Sequence, residues 1–444
     1  MQRLMMESLV KWKERKDRKP LILKGVRQVG KTWILKEFGK LAFQNYHYIN
    51  FEKKPGLAKL FEPDLTPQRI LNDLSFHLGC SIDAQKDLVI FDEIQEVPKA
   101  LTSLKYFCEE CPELAICGAG SLLGIHLNSG SFPVGKVTFL TLRPMIFEEF
   151  LMANHEEKSL AILRNFSKSK HISDLVHEYL WQQLKNYFLV GGLPEVVACY
   201  LSHKQDPFTA FSKVREKQDD LMKTYYADIA KHSGKTKAMH IDRVLNAIPL
   251  QMQQTQDESI GRFKFKGVVP GVSHYDRLAG AIDWLEHTGL AIKIHSTNTG
   301  LLPFKGHSKE NLFKLLVFDV GLLGSMAQLS PKTILDDEYG SYKGYFAENF
   351  VAQELLSSRE NALFSWKEAH NEVEFLLEFE EKVIPVEVKS GLVTHAKSLH
   401  KFAEKYHPDH RIILSGKPPL VEKNKTIHYL PLYLAGKLFE FLSG

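Results

Sequence analysis

Near the start of the chain, Gly25-Val26-Arg27-Gln28-Val29-Gly30-Lys31-Thr32 has the residue types and spacing of a phosphate cradle, G-x-x-x-x-G-K-[ST]. Glycines at both ends let the backbone curl, so that successive N–H groups point at an anion. A helix that starts at the lysine adds the positive end of its dipole to the same place. Lys31 has the reach for β- and γ-phosphates, and the Thr32 hydroxyl suits Mg²⁺. Trp33 follows directly and is grouped with the cradle. The chemistry predicted is the binding of ATP with Mg²⁺.

Asp92 and Glu93 supply the acids such a site needs, at the end of the apolar run Leu88-Val89-Ile90-Phe91. Asp92 is placed to hold Mg²⁺ through water, and Glu93 to polarise the water that attacks the γ-phosphate. An adjacent glutamate implies hydrolysis as well as binding. It also points to the P-loop branch with an extra strand between the cradle strand and the acidic strand. Ser121 closes Gly118-Ala119-Gly120-Ser121. It is read either as a sensor of the γ-phosphate or as the N-cap of the next helix, and the two roles are compatible.

A second set of acids lies near the other end. Glu374 and Glu387 fall on two neighbouring strands, Lys389 lies two residues past Glu387, and Glu348 precedes them on a helix. Residues i and i+2 of a strand share a face, so these four are predicted to converge. Two carboxylates on one Mg²⁺ with a lysine beside them can hydrolyse a phosphodiester. A solvated, alternating hairpin face is the other reading of the same pattern.

These residues need elements to position them. The first 155 residues alternate short apolar runs with helical patterns, which predicts a parallel α/β sheet. Strands are predicted at Leu21–Lys24, Tyr48–Phe51, Leu88–Phe91, Glu113–Cys117 and Val137–Leu142, with a helix over Lys31–Lys40. Residues 156–235 read as helical. Residues 236–305 read as a helix over Ser273–His287, N-capped by Ser273, and then a strand over Gly289–Ile294, an order that suits a winged helix. In 306–444 helix and strand alternate again: a helix at Tyr345–Ser357, a hairpin of Glu372–Phe379 and Val383–Lys389 turning at Glu380-Glu381, and a strand at Arg411–Leu414.

Composition narrows the class. At 444 residues the chain is long enough for two to four domains, and 44% hydrophobic residues suffice for real cores. A net charge of +4 permits nucleic-acid contact without demanding it. The basic run Lys11 to Lys19 reads as the solvated end of an opening helix. Among five cysteines, Cys108 and Cys111 form a lone C-x-x-C with no second pair, so a structural role is favoured over zinc. The odd count argues for a reducing compartment. No stretch reaches the roughly 20 apolar residues of a membrane span, and the first residues show no secretory core. A soluble, cytoplasmic protein is expected.

Taken together, several segments resemble a large prokaryotic family of AAA-type ATPases that carry a C-terminal domain of unknown function. They are Lys19–Thr32, Phe91–Gln95, Ala119–Leu123, Ser131–Val137, Phe147–Phe150, Val190–Glu195, Tyr226–Asp228, Phe318–Leu323 and Pro385–Lys389. The resemblance runs in order along nearly the whole chain. It implies an ATPase core at 1–155, a helical lid at 156–235, a winged-helix region at 236–305 and a nuclease-like α/β domain at 306–444. It also implies kinship with signal-transducing ATPases, in which a Gly-x-Pro turn of the lid lies against the nucleotide. Gly192-Leu193-Pro194 matches that turn, and a plain helix break would look the same. The nuclease-like end resembles the PD-(D/E)xK fold, where aspartate is expected at the position of Glu374. The extra methylene shifts the carboxylate by about 1.5 Å, which puts metal geometry in doubt.

The implied activity is ATP hydrolysis that changes how the C-terminal half is held, with ATP and Mg²⁺ as cofactors. ATP and ADP are the implied partners, double-stranded DNA and a homo-oligomer stay open, and no membrane is implied. Lys264, Lys266, His274 and Arg277 near the winged helix, and Lys397, His400, Lys401 and Lys405 in the tail, could meet DNA. Winged helices also serve as packing modules. Three classes of function follow: a DNA-acting ATPase and nuclease, an ATP-driven switch with an inactive nuclease fold, and a toxin-like or defence protein that answers to a partner.

Overall fold

The computed structural model describes residues 1–121, 133–166, 171–252, 261–336, 340, 342–359, 361–392, 396–420 and 426–443. Leu122, Leu123, Ser131 and Phe132, which carry part of the family resemblance, lie outside the described residues. The chain packs as two units, Met1–Arg143 with His287–Gly289, and Pro144–Glu286 with Leu290–Gly444.

Five short strands build the first unit: β1 Leu21–Lys24, β2 Asn45–Asn50, β3 Asp87–Asp92, β4 Ala115–Ala119 and β5 Thr138–Thr141. They lie in the order β2-β3-β4-β1-β5, and every pair is parallel. β4 therefore separates the cradle strand β1 from the acidic strand β3, as the adjacent glutamate predicts. β1, β3 and β4 are almost wholly buried and read as continuous apolar runs, as strands covered on both faces must. The helix Lys31–Ala42 buries Ile34, Leu35 and Phe38, one stripe at helical spacing. Phe51, Phe61 and Phe91 meet edge-on or tilted in the core, with ring centroids 5.5 to 6.0 Å apart. Removing one such ring would cost about 3–5 kcal/mol.

The second unit holds a mixed sheet. Its strands are β6 Ala291–Thr297, β7 Ser308–Val317, β8 Leu363–Glu368, β9 Asn371–Phe379, β10 Lys382–Val388, β11 Arg411–Ser415 and β12 Ile427–Pro431. They lie in the order β12-β11-β10-β9-β8-β6-β7. β9 and β10 form the expected hairpin, with Glu380 and Glu381 both at positive φ (48° and 63°) as a two-residue turn requires. The helix Tyr342–Ser358 is buried on almost every side from Gly344 to Leu355, yet it carries Glu348, Asn349, Gln353 and Glu354. Those polar groups are spoken for. Asn349 bonds both the N–H and the carbonyl of Val317, and Gln353 accepts from the Val320 N–H and donates to the Tyr187 hydroxyl.

Three sequence expectations need revision. The helix predicted from Ser273 starts later: Tyr275–Arg277 is a single tight turn and the helix is Ala279–Thr288. Gly280, the second residue of that helix, and the polar Asp276-Arg277 pair weaken the first turn. The strand read as the close of a winged helix is β6, which lies inside the large sheet between β7 and β8. The division at 305/306 thus falls between two paired strands. The first unit ends at Arg143, not 155, because the helix Phe147–Ala153 packs with the second.

Candidate nucleotide site and a buried carboxylate cluster

The cradle follows β1 and leads into the helix Lys31–Ala42. Gly25 sits at φ 152°, and a Cβ there would collide with the Leu142 carbonyl oxygen. Gly30 caps the helix at φ 98°, and Gln28 adopts φ 64°, so the loop turns through backbone states that side chains resist. Val26 and Val29 are buried and anchor the loop, while Gln28 and Trp33 are exposed. Arg27 stands 3.8 Å from Glu52. Arg3, just ahead of the opening helix Met5–Lys13, donates to the Val29 carbonyl at 3.0 Å and was not foreseen from the motif. Lys31 is buried, and its Nζ donates to the carbonyl oxygens of Gly25 and Val26, each at 2.9 Å.

Asp92 ends β3 and is itself buried. Its Oδ2 accepts from the Thr32 hydroxyl at 2.9 Å, the Tyr48 hydroxyl at 2.6 Å and the Asn50 amide at 3.3 Å. The structure therefore brings Thr32 and Asp92 together across 60 positions of sequence. A hydroxyl and a carboxylate side by side are hard oxygen ligands of the kind Mg²⁺ takes while keeping most of its waters. Tyr48 and Asn50 were not among the predicted site residues. Burial first, and then the bond to Asp92, push the Tyr48 phenol up and keep it protonated.

Glu93 adopts φ 50° and ψ 46°, a left-handed state worth about 1–3 kcal/mol of strain in a non-glycine residue. Its Oε2 accepts from the Gln95 amide at 2.7 Å. Burial raises its carboxyl above the ordinary range, the Gln95 bond and the Lys31 charge oppose this, and Asp92 adds to it. Ser121 is buried two residues beyond the end of β4, where Asp92 pairs with Ala119 in register. Cradle, acids and Ser121 thus gather at the carboxyl ends of β1, β3 and β4, where parallel sheets place ligands.

In the second unit the four predicted residues come together, but around a residue that was not predicted. Lys314, in β7, is fully buried. Its Nζ lies 2.7 Å from Glu348 Oε1 and 2.5 Å from Glu372 Oε1. Lys367 lies 2.5 Å from Glu372 Oε2, and Lys389 lies 2.8 Å from Glu387 Oε1. Glu374 accepts the Val388 N–H at 3.1 Å. Glu348, Glu374 and Glu387 are all buried, so the cluster is not a solvated hairpin face. Burial alone would strip the charge from Lys314, but Glu348, Glu372 and Glu374 outweigh it and hold its pKa high. Burial and the neighbouring Glu387 push Glu374 up. The signal for Lys314 was present as one lysine inside the apolar run Leu312-Phe313-Lys314-Leu315-Leu316-Val317-Phe318.

Pro194 belongs to this second unit and opens the helix Pro194–His203. The turn before it is tied on both sides: the Gly192 N–H donates to Asp319 at 2.7 Å, and the Gly192 carbonyl accepts from Met145 at 2.7 Å. Two of the resembling segments, Val190–Glu195 and Phe318–Leu323, therefore lock together. Burial raises Asp319 to about 6 against three backbone N–H bonds. Lys264, Lys266, His274, Arg277, Lys397, His400, Lys401 and Lys405 are exposed, and Lys405 is paired with Glu368 at 2.7 Å. Cys108 and Cys111 are free thiols. No helix among the described residues is long and apolar enough to cross a membrane.

Residues 17–151 match the family model described as AAA domain. The N-terminal domain is an AAA-type P-loop ATPase domain, and such a domain supports ATP binding and hydrolysis. Residues 182–333 and 343–435 match two further models, each described as a domain of unknown function (DUF8612 and DUF4143). No match is found among curated proteins. Among solved structures the chain is similar to the Walker-type ATPase of Pyrococcus abyssi, at 17% identity and a TM-score of 0.44, over 72% of this chain and 95% of that one. It is also similar to a signal transduction ATPase with numerous domains (STAND) and a tetratricopeptide repeat sensor from Pyrococcus horikoshii, at 14% identity and 0.28, over 81% and 46%. A third similar structure is RuvB of Thermotoga maritima, at 14% and 0.31, over 65% and 87%.

Proposed function

We propose that this chain binds ATP with Mg²⁺ at Gly25–Thr32, hydrolyses it, and uses the turnover to drive a conformational change on or near DNA. The observation that carries the ATPase reading is the Thr32–Asp92 hydrogen bond at the carboxyl ends of the sheet, with Glu93 beside it. Thr32 and Asp92 would hold Mg²⁺, which would screen phosphate charge when bound. The cradle N–H groups and Lys31 bind the β- and γ-phosphates. Glu93 accepts a proton from water as the water oxygen bonds to the γ-phosphorus, while the bond from that phosphorus to the bridging oxygen breaks. In this reading Ser121 senses the γ-phosphate, which its burial just beyond the end of β4 supports. Glu93→Gln should keep ATP affinity and lower turnover by about 10²–10⁴-fold, measured by phosphate release. Wild-type turnover in that variant would remove Glu93 from the mechanism.

DNA enters this reading through the exposed basic residues. ATPase rate measured with and without double-stranded DNA over a range of salt tests it, because phosphate contacts weaken steeply with salt. Stimulation by DNA that fades with salt supports the proposal. A rate that DNA leaves unchanged, but a protein partner raises, would favour the partner-responsive switch.

A further inference from the structure

We propose that Lys314 is the built-in cation of the C-terminal carboxylate cluster: its ammonium takes the place a divalent metal ion would fill, and the domain keeps its geometry with no metal. The inference is independent of the ATPase reading.

Geometry comes first. Lys314 is 0% exposed and touches Glu348 from the helix Tyr342–Ser358 and Glu372 from β9 at 2.7 and 2.5 Å. The Glu348 contact is a charge-assisted hydrogen bond and the Glu372 contact a close ion pair, so the ammonium sits where the two carboxylates converge. Among the described residues no group of three or more His, Cys, Asp or Glu is arranged to hold a metal ion.

Charge agrees. The cluster holds four carboxylates, Glu348, Glu372, Glu374 and Glu387, and three ammonium groups, Lys314, Lys367 and Lys389. Among these seven groups the carboxylates outnumber the ammonium groups by one, so one proton shared by Glu374 and Glu387 balances the seven. A divalent ion entering this set would meet Lys314 at close range, at a buried position where unpaired charge is costly.

One group is poised to receive a cation once Lys314 is gone. Glu387 is buried and its Oε2 has no hydrogen-bond partner. Glu374 beside it has its Oε2 on the Val388 N–H. Without Lys314 the lysines left in this set, among the described residues, are Lys367 and Lys389, and the hard carboxylate oxygens suit Mg²⁺ or Mn²⁺. An ammonium cannot do what the metal does. It offers no empty orbital to a phosphoryl oxygen and generates no bound hydroxide.

The test is an Mn²⁺ titration of the full chain, followed by calorimetry and by the spin signal of free Mn²⁺. It uses nucleotide-free protein carrying Asp92→Asn, so that the ATP site stays silent. The parent should take no Mn²⁺ at the cluster up to about 1 mM. Lys314→Ala in the same background should gain one site, roughly tenfold or more tighter, and lose it again with Glu387→Gln. If Lys314→Ala folds only with Mn²⁺ present, the proposal is supported by that rescue. If Lys314→Ala folds but gains no Mn²⁺, the ammonium is not holding a cation position and the proposal fails. If the parent binds Mn²⁺ and Glu387→Gln abolishes it, a metal site coexists with Lys314 and the proposal fails as well. Should Lys314→Ala not fold at all, the parent and its Glu387→Gln variant decide alone: no Mn²⁺ and no change in melting temperature supports the built-in cation.

Discussion

Lys31 and Lys314 are both buried, and they are held in opposite ways. Lys31 donates to two backbone carbonyls of its own loop, which offer dipoles. Lys314 contacts two carboxylates, which offer full charges. A phosphate arriving at Lys31 would exchange these backbone dipoles for full charge, which an ammonium binds more strongly. A phosphate arriving at Lys314 would have to displace carboxylates that already match it. The first lysine is kept ready for a ligand, and the second is already satisfied. A lysine near acids is therefore weak grounds for a catalytic site until its existing partners are known.

Breaking the second arrangement should have the largest effect. Lys314→Ala without added metal removes the ammonium that Glu348 and Glu372 share and leaves Lys367 on Glu372. A loss of about 3–5 kcal/mol of stability is expected, read by denaturant unfolding. A loss under about 1 kcal/mol would show that water or rearrangement replaces the ammonium, and the contrast with Lys31 would fall.

Lys31→Ala should do the reverse. ATP affinity is expected to drop roughly 100-fold, about 2.7 kcal/mol, by calorimetric titration. Stability should change by less, about 1–3 kcal/mol, since the lysine gives up hydrogen bonds to carbonyl dipoles and no ion pair with a carboxylate of the cradle. Retained ATP affinity in the folded variant would overturn the nucleotide site as a whole.

Glu354 sharpens the comparison from the acid side. It is fully buried and accepts the Phe147 N–H at 2.8 Å, and burial lifts its carboxyl to about 8 despite that bond. The folded protein then keeps a proton that the unfolded chain releases in the ordinary carboxyl range. Stability should be complete below that range and decline as pH rises through it toward 8, by about 1.4 kcal/mol per pH unit for this group. Glu354→Gln keeps an acceptor for Phe147 and cannot ionise. Its stability, measured from pH 5 to 9 by denaturant unfolding, should fall by one proton's worth less than wild type. An identical slope in both would mean that Glu354 is ionised in the folded state.

Local patterns were legible where one stretch of chain contains its own reason. The cradle spacing, the apolar β3 ending in Asp92, and the Glu380-Glu381 hairpin all belong to that kind. What stayed hidden depends on contacts between segments. Arg3 reaches the Val29 carbonyl from the opening of the chain. β6 joins a sheet whose next strand inward, β8, begins more than sixty residues later in the sequence. The alternation in β9 and β10 left two readings open, convergence or a solvated face, and the burial of Glu374 and Glu387 decides for convergence. Lys314 stood out as a charge in an apolar run, but its partners lie on another helix and another strand.

Tyr48 gives the smallest effect and the finest test. β2 and β3 pair with Asn50 opposite Asp92 and Tyr48 opposite Ile90. This register sends the Tyr48 hydroxyl to Asp92 Oδ2, the same oxygen that Thr32 and Asn50 reach. At 2.6 Å it is the shortest of the three bonds. Asp92 is thus held from two sides, by the cradle helix and by the edge strand. Tyr48→Phe leaves the ring in place and removes only the hydroxyl. About 1 kcal/mol should be lost, seen as a roughly fivefold weaker Mg²⁺-dependent ATP affinity. The Mg²⁺-independent part of the affinity should not move, because the hydroxyl acts through the Asp92 carboxylate and not on phosphate. Equal weakening with and without Mg²⁺ would show that Tyr48 supports the cradle as a whole. No weakening at all would mean that Thr32 and Asn50 suffice to aim Asp92.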